Sequence, residues 1–275
     1  MNGAGESETS RALLDRVHIV LVQPSHPGNI GAAARAMKTM GLSHLWLVNP
    51  KRFPDGEADA RAAGAEDVLR AARVCASVDG ALAATVYAGA VTARQRHLGP
   101  PALAARAAAA EVVAWAATGE VALLFGNETA GLTNADVQRC RQTIHIPGDP
   151  AYGSLNLAAA VQVLCYELRL AAFAGAPPRS TRTVPFVSPP ALHAEVEAFY
   201  THLERVMIAS GFLDPHQPRR LMAKLRRLFG RATLERDEIN ILRGLLDALE
   251  PRREPAEVGP ANDESSLVPK NSGQT

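Results

Sequence analysis

The chain has 275 residues, 47% hydrophobic and only 5% aromatic, with 29 Lys and Arg against 28 Asp and Glu. That length can bury a full α/β core and still carry a small second unit. A net charge of +1 excludes any argument for a nucleic-acid partner from global charge; only a local patch can supply one. There is no run of eighteen apolar residues, and MNGAGESETSR has neither a basic nor an apolar leader region, which predicts a soluble, cytoplasmic protein. Cys75, Cys140 and Cys165 lie far apart with no CxxC, so they read as buried reduced thiols.

In chain order, residues 1–14 read as a flexible arm. Val17–Val22 is almost continuously apolar, the pattern of a strand covered on both faces. The turn-rich segment QPSHPGN follows, then a helix over 30–40 stopped by Gly41. Its first turns, Gly31-Ala32-Ala33-Ala34, allow close packing, and Arg35 is its first long polar side chain. Strands are expected at 45–48, 86–91, 121–125 and 143–146, with a weaker one at 73–76. Helical segments at 57–72 and 78–83, an Ala-rich helix over 100–117 and a short helix from Thr133 fall between them. Strands alternating with helices predict an α/β fold with a mostly parallel sheet and helices on both faces.

The polar loops at 23–29, 92–96, 126–132 and 147–156 each follow a strand, and such sheets bind ligands beyond the carboxyl ends of their strands. The last loop enters a helix over 155–170, whose Leu157, Val161, Leu164, Cys165 and Leu168 recur on one face. Ser154 and Asn156 thus sit at the mouth of a buried helix, either as a simple N-cap or facing an electron-rich ligand. Residues 174–190 are Pro-rich and read as a linker. Three amphipathic helices follow within 191–250, and 251–275 is charged, polar and expected to be disordered. Arg219, Arg220, Lys224, Arg226, Arg227 and Arg231 concentrate on one of these helices, a local basic patch that the overall charge conceals.

Familiar signatures are missing. There is no GxxxxGK[ST]; Gly28-Asn29-Ile30-Gly31 is not GxGxxG; and Ser154 does not sit in a GxSxG elbow. His97 and His145 lack metal-type spacing, so no metal is expected.

The trio PGNIGAAARAMKTMG (27–41), LLFGNETAGLTN (123–134) and IPGDPAYGSLNLAAAVQVLCYELR (146–169) closely resembles the three motifs of the SPOUT superfamily. Within it the resemblance is to the TrmH-like 2′-O-ribose methyltransferases, and to the branch acting on tRNA nucleotide 32. It spans about 17–172, and 221–246 resembles that branch's C-terminal extension. The resemblance implies a C-terminal deep trefoil knot over a methyltransferase domain at 15–173. It implies S-adenosylmethionine, converted to S-adenosylhomocysteine, held by backbone around Val91, Thr92, Ala93, Gly126, Ile146, Gly153, Ser154 and Leu155. Arg35, Asn29, Glu128, Ser154 and Asn156 are the implied catalytic residues, meeting the RNA ribose and phosphate.

An Arg guanidinium has a pKa above ~12, so a donor role suits Arg35 better than the general-base role proposed in the family. Arg94 and Arg96, at a strand end, together with the basic helix, are the expected RNA contacts. The implied partners are tRNA and a second copy in a homodimer through the knot helices. One departure stands out: relatives usually carry Arg after the glycine of the second motif, and this chain has Asn127. A cation near the RNA or the other subunit is therefore expected to be missing. Competing readings are the same chemistry on rRNA or another tRNA site, a knotted RNA-binding protein without catalysis, and a dinucleotide oxidoreductase, which fits the βα pattern but fails on motifs.

Overall fold

A computed structural model describes residues 3–94, 99–149, 151, 153–174 and 187–250. Seven strands build one sheet: β1 (Val17–Val22), β2 (His44–Val48), β3 (Arg73–Cys75), β4 (Thr85–Val91), β5 (Ala102–Ala104), β6 (Glu120–Phe125) and β7 (Gln142–His145). Their order is β3-β2-β1-β6-β4-β7-β5, and every pairing is parallel. All the carboxyl ends therefore point the same way, toward the four polar loops.

Alternation along β1 divides the core. Ile19 and Leu21 face one layer, with α1 (Gly3–Leu14), α2 (Pro27–Met40), α6 (Ala105–Ala116) and α8 (Leu157–Ala172). Val20 and Val22 face the other layer, with α5 (Val78–Leu82) and α7 (Asn134–Gln138). Two short helices, α3 (Gly56–Ala62) and α4 (Glu66–Arg70), lie beside α2.

Pro27 opens α2 with a φ already suited to a helix, and Gly41 closes it at φ 84°, its N–H bonding back to Lys38. At Gly31 a Cβ would lie 2.0 Å from the Ala58 carbonyl oxygen, so α2 and α3 meet backbone to backbone.

Three helices form the C-terminal unit: α9 (His193–Ala209), α10 (Leu221–Ala232) and α11 (Arg236–Leu249). Phe199, Tyr200, Val206, Ile239 and Leu246 form its core, with Phe229 edge-on to Phe199 at 5.1 Å. This unit sits at the amino ends of the strands, opposite the polar loops. The Ala194 N–H donates to the Ala83 carbonyl at 3.3 Å, and Arg139 grips Asp79 at 2.7 and 3.0 Å. His193 also reaches Asp79, at 3.2 Å, and Arg141 bonds the Thr233 hydroxyl.

Several expectations need correction. The N-terminal arm is a helix, anchored where the Ser10 hydroxyl donates to the Ala172 carbonyl at 2.6 Å and where Leu14 is buried. The Ala-rich segment at 100–117 is not all helix, because Ala102–Ala104 pairs with β7 as an edge strand before α6 begins. Cys75 is half-buried rather than buried, and burial pushes its thiol up. Arg219 and Arg220 precede α10 rather than belong to it, with φ of 42° and 59°. The end of the linker is tied down, since the Val187 and Ser188 N–H groups donate to Glu235. Residues 175–186 of the linker and the tail 251–275 lie outside the described residues. Among the described residues, no helix is long and apolar enough to cross a membrane.

Candidate active site

A cleft opens at the carboxyl ends of β4, β6 and β7. Val91, Thr92 and Ala93 line it as the chain leaves β4, Gly126 as it leaves β6, and Ile146 as it leaves β7. Gly153, Ser154 and Leu155 complete it on the approach to α8. All eight residues expected around the cofactor therefore share one cavity. Val91, Ile146, Leu132 and Leu157 give it apolar walls, and residues 126–131 give it a polar edge. At Gly126 a Cβ would lie 2.2 Å from the Gly131 carbonyl carbon, so this loop folds tightly on itself. A cavity with apolar walls and a polar rim suits a flat heterocycle carrying polar edges.

Glu128 organises the site. Its Oε2 accepts from the Ser25 N–H at 2.9 Å and the Ser25 hydroxyl at 2.7 Å. Its Oε1 accepts from Asn29 Nδ2 at 2.9 Å and the His26 N–H at 3.2 Å. Asn29 Oδ1 in turn accepts from Asn156 Nδ2 at 3.0 Å. The Asn156 Oδ1 caps α8, accepting from the Ala158 N–H at 2.9 Å and the Ala159 N–H at 3.3 Å. One chain of hydrogen bonds thus joins the loops after β1, β6 and β7. Burial pushes the Glu128 carboxyl up, but the Asn29 amide and the Ser25 N–H and hydroxyl outweigh it and hold the pKa at about 2. At neutral pH the group is a fully ionised clamp with both oxygens engaged. It is a poor proton acceptor.

The N-cap of α8 is Asn156, while exposed Ser154 lines the cleft. Arg94 also lines the cleft and is exposed; Arg96 and His97 lie outside the described residues. Arg35 stands exposed on α2 and is not among the lining residues. Of the basic patch, Arg226 turns inward. It grips Glu197 at 2.5 and 2.6 Å and lies 4.3 Å over the Tyr200 ring. Arg219, Arg220, Lys224, Arg227 and Arg231 remain on the outer side as exposed cations.

Sequence reasoning missed Ser25 and His26, which supply three of the four donors to Glu128. Their position directly after the carboxyl end of β1 was the available signal. It also missed what Asn127 does. The Asn127 Oδ1 accepts from the Thr129 N–H at 2.9 Å and the Ala130 N–H at 3.2 Å. Its Nδ2 donates to the Gln23 carbonyl at 2.8 Å. This side chain shapes the loop that forms the cleft rim and ties it to the neighbouring one.

The model of the SpoU rRNA Methylase family matches residues 16–166, and that of the tRNA methyltransferase TrmJ C-terminal domain matches residues 194–259. The tRNA (cytidine/uridine/adenosine-2′-O-)-methyltransferase TrmJ of Pseudomonas aeruginosa is 52% identical over 241 residues, covering 85% of this chain and 93% of its own. The tRNA (cytidine/uridine-2′-O-)-methyltransferase TrmJ of Escherichia coli K12 is 46% identical over 238 residues, covering 86% and 96%. Among solved structures, TrmJ from Z. mobilis ZM4 superposes with a TM-score of 0.73 at 35% identity, covering 84% of this chain and 98% of that one. With matches on both the sheet domain and the C-terminal helices, the chain belongs to the SpoU methylase family and, within it, to the TrmJ group.

Proposed function

We propose that this chain transfers a methyl group from S-adenosylmethionine to a ribose 2′-hydroxyl of tRNA, at a cytidine or uridine occupying nucleotide 32. The observation that carries the reading is the Glu128–Asn29–Asn156 chain, which fixes three motif loops around one cleft in a member of the TrmJ group. When bound, the cofactor supplies an electrophilic methyl on a sulfonium, so the protein's task is mainly alignment. The rim residues Val91–Ala93 and Gly153–Leu155, with Gly126 and Ile146, hold the nucleoside and methionine parts. Glu128, with Ser25 and Asn29, keeps the two facing loops at a fixed distance. Asn156 sets the start of α8, so that the Ser154 hydroxyl faces the cleft as a polar contact for the ribose. Arg35, a permanent cation, orients the target phosphate and hydroxyl as a donor.

The chain returns from β7, beyond β4, to pack α8 against α2 and α6, a path that supports the trefoil knot expected for the family. Tyr166, Leu170 and Phe173 lie exposed along α8, an apolar stripe that supports a homodimer through this helix. The C-terminal unit lies at the far end of the sheet from its own chain's cleft. Its outward cations therefore hold tRNA backbone away from the reacting ribose, as a salt-sensitive term.

Transfer of labelled methyl to tRNA transcripts, beside Arg35→Ala, tests the reading. We expect 2′-O-methylation of nucleotide 32, with the rate in the variant lower by about 100-fold or more, within the span of removing a transition-state donor. Label in another nucleotide would keep the chemistry and reject the target.

A further inference from the structure

We infer that His202, Asp247 and Glu250 form a binding site for one divalent transition metal, of the zinc class, that clasps α9 to α11. His202 is 6% exposed, and among the described residues neither of its ring nitrogens finds a hydrogen-bond partner. Its Nε2 is directed at two carboxylates, 3.2 Å from Glu250 Oε1 and 3.5 Å from Asp247 Oδ1. The three candidate ligand atoms all lie within 4.8 Å of one another.

Those separations are informative. Ligands at zinc–nitrogen and zinc–oxygen distances of ~2.0–2.2 Å in a tetrahedron are separated by ~3.3–3.6 Å along its edges. Both nitrogen–oxygen distances fall close to that range, while the contacts lack hydrogen-bond geometry. The donor set of one imidazole and two carboxylates leaves a fourth position for water, the composition borderline metals accept.

Helix electrostatics gives a second, independent reason for a cation. Asp247 lies in the last turn of α11 and Glu250 is its C-cap, where the helix dipole is negative, and no basic residue occupies that turn. Arg205, contacting Glu250 at 2.5 Å, offsets one of the two carboxylates; among the described residues no second cation pairs with Asp247. Asp247, Glu250 and Arg205 together carry one net negative charge, which a divalent ion reverses. The His202 Nδ1 has no acceptor among the described residues, which therefore do not supply the outer-shell bond that tightens most metal-bound histidines. Binding is accordingly weaker than at a site with that bond. Nothing in this inference depends on methyl transfer.

The experiment uses the full chain stripped of metal with a chelator. Cobalt(II) is titrated while its visible d–d bands are followed, and zinc binding is read by calorimetry and by the melting temperature. One ion per chain with four-coordinate spectra and a zinc-dependent rise in melting temperature are expected. Asp247 is largely exposed, so Asp247→Asn folds normally; it should weaken cobalt affinity by at least about tenfold, with His202→Gln abolishing the site. Equal binding by wild type and Asp247→Asn overturns the proposal, as does a melting temperature that responds to acidification alone, which would make protonated His202 the clasp.

Discussion

The two ends of the sheet are held together by different chemistry. At the carboxyl ends, a carboxylate is fixed by neutral donors: among the described residues, Ser25, His26 and Asn29 surround Glu128 with no basic side chain bonded to it. At the amino ends, charged pairs stitch the helical unit to the sheet or within itself, as Arg139 with Asp79 and Arg226 with Glu197. Neutral donors hold a loop in place while leaving cations free for an anionic substrate. Ion pairs cost desolvation and give direction, which suits docking of a second unit. The proposed catalytic site thus lies at the end braced by neutral donors, and the helical unit docks at the end braced by charged pairs.

The largest test of this contrast is Glu128→Ala. It strands four donors, so methyl transfer should fall by about 100-fold or more, and stability by about 1–2 kcal/mol for partly exposed groups. Labelled-methyl assays and urea unfolding measure the two effects. The pH dependence has a definite sign: the folded pKa of about 2 lies below the ordinary glutamate value of 4.5. The clamp's contribution is thus complete above the unfolded pKa and is lost as pH falls from there toward 2. Glu128→Gln should flatten that acid limb.

Arg226→Ala sharpens the other half. Both partners retain 22% side-chain exposure, so stranding Glu197 should cost about 2 kcal/mol, less than for a fully buried pair. Cofactor affinity, read by calorimetry, should not change. A parallel loss of cofactor affinity would mean that the two ends are coupled.

His18 gives a subtler signature at the amino end of β1. Burial, with His44 and Arg73 nearby, pushes its imidazole down from 6.5 to about 4, despite Glu120 at 3.0 Å. The folded state therefore keeps it neutral where the unfolded chain binds a proton. Melting temperature should fall as pH drops from 6.5 toward 4, and His18→Gln should remove that slope. Asp79→Asn is the smallest change. Its carboxylate is 45% exposed, so we expect under about 1 kcal/mol, shrinking further in high salt.

Much of the functional end was legible because each motif loop follows an apolar run. Gly126, Ile146 and Ser154 could be assigned to one edge before any coordinates. Pairing across space was not legible: nothing in the spacing of Ser25 and Glu128, 103 residues apart, states that they bond. Ala102–Ala104 was hidden because three small residues merge into a helix-forming Ala run, and only pairing with β7 makes them a strand. Arg226 looked like its neighbours in a basic stretch. Glu197, one helix earlier, decides that it faces inward.

The central claim is methylation of the nucleotide 32 ribose in the cleft that Glu128 braces. The most direct measurement compares labelled methyl transfer to a tRNA transcript with transfer to one carrying 2′-deoxyribose at nucleotide 32 alone. The account predicts label in the first and none in the second, with both tRNAs binding equally. Equal labelling of the two would contradict it.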